Sequence, residues 1–85
     1  MNDAELRNLV FKALVSIAPE TEPAQLSLDQ PLRNQVDLDS FDWLKFLLAL
    51  HQELQVEIPE ADYQRLVSVN AIVTYLQTKL TTEKR

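Results

Sequence analysis

Glycine is absent from all 85 residues. That absence removes every phosphate-cradling loop that depends on it, so neither a P-loop nor a Rossmann turn can be written here. Cysteine is absent as well, which excludes disulfides, thiolate metal sites and a cysteine nucleophile. One histidine, His51, is too little for most acid–base catalysis or for a histidine-rich metal centre, and no metal is expected. Basic residues are scarce: eight against thirteen acids, for a formal charge of −5. Nucleic-acid surfaces call for the opposite balance, so no nucleic-acid partner is expected. An acidic chain suits docking on basic patches of other proteins. No apolar run approaches the length of a membrane span, and no membrane partner is expected. Met1 to Glu5 is acidic where a secretory leader is basic. A cytoplasmic protein is the expectation.

What remains is one small domain, residues 1–85, with residues 1–2 and 81–85 expected to be flexible. A chain of this size buries roughly 60% of its unfolded surface, enough for a modest core. Leu6, Leu9, Val10, Ala13, Leu14 and Ile17 recur at three- and four-residue spacing and predict a helix over 3–17. Asp3 and Glu5 stand at its start, where the dipole favours acids, and Pro19 ends it. Residues 18–39 form a long connection with three prolines. Leu26, Leu28, Leu32, Val36 and Leu38 are expected to pin it over the bundle, with a helical turn near Pro23 to Leu26.

A second helix is predicted over 40–54. Phe41, Leu44 and Leu48 make one apolar stripe; Trp43, Phe46, Leu47, Leu50 and Leu54 make another. A helix apolar over most of its circumference is expected to be central. Pro59 opens a short third helix through about Leu66, and Ser68 caps a fourth with Val69, Ile72, Val73, Leu76 and Leu80 buried. The fold class is therefore all-α: a four-helix bundle of three longer helices and a short third, with a long loop between the first and second.

Asp39 and Ser40 are good N-cap residues for the second helix, and Asp42 adds a carboxylate to its first turn. Ser40 thus sits at a helix mouth, near free backbone donors of the kind that bind phosphate. Locally, such a pair reads more often as a plain cap than as a site. Other chemistries fit less well. A calcium loop at Asp37-Leu38-Asp39 breaks at Phe41 and has Leu48 where the bidentate glutamate belongs. Ser40 and His51 are eleven residues apart on one helix, or about 16 Å along its axis, too far for a hydrolytic triad. A helix-turn-helix reading lacks a basic recognition helix.

Taken together, Asp39-Ser40-Phe41-Asp42, the apolar helix after it, the Glu57-Ile58-Pro59 link and the closing segment Arg65 to Ala71 with Tyr75-Leu76 resemble the acyl carrier protein family. The resemblance covers nearly the whole chain. It implies a carrier rather than an enzyme, with 4′-phosphopantetheine from coenzyme A attached to Ser40 and Asp39 flanking it. It also implies a phosphopantetheinyl transferase and acyl-transferring or condensing enzymes of fatty-acid, polyketide or related synthesis as partners, with acyl groups held as thioesters. A monomer is the default for a protein that visits several enzymes. Phe46, Leu48, Leu50, Leu66, Ile72 and Tyr75 are the residues expected to line an acyl pocket, although for any single one of them plain packing is the better reading. Asp37, Asp42, Trp43, Lys45 and Glu53 are the expected partner-recognition residues. The chain departs from the family at Asp37, where glycine is common, at Trp43, where a small residue is common, and at Lys45, His51 and Gln52, where acids are common. Those departures point to a specialised carrier. The alternative is a helical interaction module that keeps the bundle and is never modified.

Overall fold

The computed structural model describes residues 2–83. Three fifteen-residue helices dominate it: α1 (Asp3–Ile17), α3 (Ser40–Leu54) and α4 (Val69–Glu83). A four-residue helix, α2 (Leu32–Gln35), and two 3₁₀ segments, Pro23–Gln25 and Glu60–Arg65, lie in the connections. Among the described residues there is no strand, and the helical bundle is the expected one. Helix α1 packs on both α3 and α4.

Each long helix starts on a side-chain cap that its sequence supplies. Asn2 caps α1 through a reciprocal box: Glu5 N–H donates to Asn2 Oδ1 at 2.8 Å, and Asn2 N–H to Glu5 Oε1 at 3.0 Å. Asp39 caps α3, and Ser68 accepts from Ala71 N–H at 3.1 Å at the head of α4. Of the termini expected to be flexible, Asn2 is thus a cap, the α4 backbone continues through Glu83, and Met1, Lys84 and Arg85 lie outside the described residues.

The core draws Leu6, Val10 and Leu14 from α1, Phe46, Leu47 and Leu50 from α3, and Val69, Ile72 and Leu76 from α4. Between α1 and α3, Leu32, Val36 and Leu38 are buried and Leu26 and Leu28 pack partly against the core. The long connection is also stitched to the start of α4. Leu32 N–H donates to the Val67 carbonyl at 2.9 Å, and Asn70 N–H to the Leu28 carbonyl at 3.0 Å. Gln35 fastens the loop to itself, accepting from Ser27 N–H at 2.7 Å and donating to the Ser27 carbonyl at 3.0 Å. The predicted turn at Pro23 is present. Helix α2 was not foreseen, because four residues are too few to carry a helical period.

Helix α3 corrects one expectation. It is not buried all round: Phe41, Leu44 and Leu48 are 68%, 48% and 53% exposed. The Trp43–Phe46–Leu47–Leu50 stripe alone faces the core. Lys45 stands over the Phe41 ring at 5.0 Å and partly shields it.

Helix α3 ends in the left-handed region, and with no glycine in the chain another residue takes that place. Gln55 takes it, at φ 56° and ψ 41°, and its amide donates to the Gln52 carbonyl at 2.8 Å. His51 Nδ1–H donates to the Val56 carbonyl at 2.7 Å and closes the same turn. Left-handed backbone costs a residue bearing a Cβ roughly 1 kcal/mol or more, and glycine avoids it. Gln55→Gly is therefore expected to raise stability by about 0.5–1 kcal/mol, read from the urea midpoint. An unchanged or lower midpoint would show that the Gln55–Gln52 bond outweighs the relief.

Candidate functional site

Ser40 is the first residue of α3. The backbone before it is extended because Asp39 holds the N-cap conformation, at φ −80° and ψ 178°. The Asp39 carboxylate accepts from Asp42 N–H at 2.8 Å, and its carbonyl accepts the first helical bond from Trp43 N–H at 2.9 Å. The N–H groups of Ser40 and Phe41 fall outside the helical ladder, as in any first turn. The Ser40 side chain is exposed, and among the described residues its hydroxyl has no hydrogen-bond partner.

The other three serines are less suited to external chemistry. Ser16 donates its hydroxyl to the Ala13 carbonyl at 2.7 Å within α1, and Ser68 is buried and occupied as the α4 cap. Ser27 is exposed, but it lies in the loop that Gln35 clasps and not at a helix start. Only Ser40 combines exposure, an uncommitted hydroxyl and a helix N-terminus.

A cleft of about 490 Å³ opens beside Ser40. Trp43 and Leu44 of α3 form one wall, Tyr63, Gln64, Leu66 and Val67 the other, with Pro31 and Arg33 at the loop side. The stitching of the loop to Val67 and Asn70 holds these walls in register. Trp43 is 7% exposed, its ring 5.2 Å from that of Phe46.

The expected site residues divide accordingly. Asp37 and Lys45 are exposed and Asp42 is half-buried, and Glu53 pairs with Lys12 at 3.7 Å on the surface. Trp43 is a correction: its indole packs inward and walls the cleft, so it offers no free side chain to a partner. Leu48 is another. It lies outside, along a shallow groove with Leu47, Ile58 and Tyr63, because it follows Phe41 and Leu44 on the outer stripe. Phe46, Leu50 and Ile72 are fully buried, and Tyr75 is nearly so, its hydroxyl donating to the Asp62 carboxylate. Of the six pocket residues named from sequence, Leu66 alone lines the cleft beside Ser40. Reading the sequence missed Tyr63, Val67 and Arg33 there. Nothing in their local pattern marks them, since the packing of loop against α3 is what brings them to Ser40.

An exposed serine hydroxyl at a helix mouth, beside an apolar cleft, fits an ester-linked phosphate bearing a long arm. The family model for the phosphopantetheine attachment site matches residues 10–76, most of the chain. The chain belongs to that family. Similar proteins include the acyl carrier protein of Campylobacter hominis, 29% identical over 86% of this chain and 86% of the relative. The acyl carrier protein of Thermosynechococcus vestitus is 26% identical over 94% and 98%. The mitochondrial acyl carrier protein of Saccharomyces cerevisiae is 33% identical over 79% of this chain and 54% of that protein. As a member of the family, the chain carries covalent 4′-phosphopantetheine and works as an acyl carrier, not as an enzyme. Membership implies partners of two kinds, a phosphopantetheinyl transferase and enzymes that handle acyl groups. Among the described residues no helix is long and apolar enough to cross a membrane.

Proposed function

We propose that Ser40 is the attachment residue and that this carrier is a specialised, monomeric, cytoplasmic one serving fatty-acid, polyketide or related lipid synthesis. The observation that carries the attachment reading is the free, exposed hydroxyl of Ser40 at the mouth of α3. In loading, an Oγ–phosphorus bond forms as the pyrophosphate linkage of coenzyme A breaks. The hydroxyl proton leaves and adenosine 3′,5′-bisphosphate departs. The bound arm supplies a terminal thiol on which acyl groups ride as thioesters. The chain's own part is to expose the hydroxyl, to cap the helix with Asp39 so that Ser40 is not needed as the cap, and to hold an apolar cleft beside it. Leu44, Leu66 and Val67 offer that cleft hydrocarbon walls, while Phe46, Leu50, Ile72 and Tyr75 form the interior behind Trp43 and its neighbours.

Specialisation is supported by the outer surface of α3. Phe41, Leu44 and Leu48 are exposed there, with Lys45 among them, while the acids concentrate at Asp37, Asp39 and Asp42 around Ser40. A partner that reads this helix meets an apolar stripe with an acidic end. Asp37, Asp42, Lys45 and Glu53 supply its charged contacts, and condensing or acyl-transferring enzymes are the partners proposed.

The test is intact mass after incubation with coenzyme A and a broad-specificity phosphopantetheinyl transferase. The expected result is a gain of one phosphopantetheine. No gain by folded protein with several transferases would favour an unmodified interaction module instead.

A further inference from the structure

Arg33 lines the same cleft as Ser40. Among the described residues lining the cleft it is the only charged one. Its Nε donates to the Leu38 carbonyl at 3.4 Å, two residues before Ser40, and its guanidinium lies 6.0 Å from the ring centroid of Trp43, three residues after. The side chain is therefore held at both flanks of the attachment serine. It makes no ion pair among the described residues, whereas Lys12 pairs with Glu53 and Arg65 with Asp62. With Nε engaged, the two terminal nitrogens of the guanidinium remain available.

The surroundings make such a group useful. Asp37, Asp39 and Asp42 lie within three residues of Ser40, and all three repel the negative charge that a phosphodiester brings. The first-turn N–H groups offset part of that repulsion. An arginine fork offsets more, since its paired donors match two phosphate oxygens. We infer that Arg33 binds the phosphodiester of the loaded arm and so docks the root of the arm at the cleft, acting as a positioning residue. The inference rests on attachment at Ser40.

The absence of cysteine makes a clean test possible, because a thiol-reactive dye on the loaded protein labels the arm alone. Loaded wild type, Arg33→Lys and Arg33→Gln are compared by dye anisotropy over a salt series. The Nε–H resonance of Arg33 is followed by NMR before and after loading. Expected is lower anisotropy in Arg33→Gln, with the ratio of docked to free arm falling about two- to fivefold, the scale of an exposed ion pair screened by solvent. Arg33→Lys should recover part of it, and wild type should converge on Arg33→Gln at high salt. The Arg33 resonance should move on loading, which a purely structural role does not require. Equal anisotropy in all three proteins with an unmoved resonance would overturn the inference alone. Failure of wild type to gain an arm would take the attachment reading and this inference down together.

Discussion

Ser40→Ala is expected to lose loading altogether while its unfolding free energy stays within about 0.5 kcal/mol of wild type, the range of an ordinary surface substitution. The two halves of that result follow from a division of labour at one helix start. Asp39, not Ser40, supplies the oxygen that caps α3, accepting from Asp42 N–H at 2.8 Å. The Ser40 side chain is exposed and makes no hydrogen bond among the described residues, so removing it leaves no buried group unsatisfied. Alanine is also the best intrinsic helix former, which suits the first position of α3. Loading, by contrast, has no equivalent serine to fall back on: Ser68 is buried as a cap, Ser16 is bonded inside α1, and Ser27 lies in the loop that Gln35 clasps and not at a helix start. Intact mass measures the first half and urea denaturation the second. Residual loading at the wild-type rate would mean that the arm goes elsewhere. A large loss of stability would mean that Ser40 has a structural role its exposure does not suggest.

Phe46→Ala should show the reverse pattern in stability. Phe46 is 0% exposed at the centre of α3 and leans its ring on Trp43 with a 40° tilt. Deleting a buried phenylalanine removes its transfer free energy and leaves a cavity that the neighbours close only partly, at a cost of about 3–5 kcal/mol. A domain of this size has roughly 4–13 kcal/mol in total, so the variant should lose a large share of its stability. Leu48→Ala is the comparison. Leu48 belongs to the same helix but is 53% exposed, and its loss should stay below about 1 kcal/mol. Far-UV circular dichroism through a urea titration suits both, since Trp43 fluorescence would respond to the loss of its ring neighbour directly. Similar costs for Phe46→Ala and Leu48→Ala would contradict the orientation of α3.

The extent of α1 and the starts of α3 and α4 are the most legible features of this sequence, and the orientation of α3 the least; the cap at Asn2 and the run of α4 through Glu83 are not foreseen. Helix α1 was readable to its boundaries, because Leu6, Val10 and Leu14 repeat on one face between an acidic start and Pro19. The cap at Asp39 and the one at Ser68 were readable because few residue types can occupy such positions. Helix α3 carries two apolar stripes, and hydrophobicity alone does not say which one the rest of the chain covers. The pattern alone therefore points Trp43 to a partner surface and Leu48 to a pocket, whereas packing turns the first inward and the second outward. The cleft is a product of tertiary structure: Arg33 is remote in sequence from Tyr63 and Val67, and the two segments come together beside Ser40 where Leu32 and Asn70 tie the long loop to the head of α4. No local pattern could announce that meeting. Asp39-Ser40-Phe41-Asp42 alone reads as a cap; the resemblance to the family is legible from the order and spacing of that stretch, the apolar helix after it, Glu57-Ile58-Pro59 and the closing segment together.

The measurement that tests the account most directly is residue-resolved mass mapping of the loaded protein, with the arm located by fragmentation of its peptides. Four serines compete for it: Ser16, Ser27, Ser40 and Ser68. A single arm on Ser40 and unmodified peptides for the other three are expected. An arm on Ser27, Ser16 or Ser68, or a fully loaded chain whose Ser40 peptide is unmodified, would contradict it.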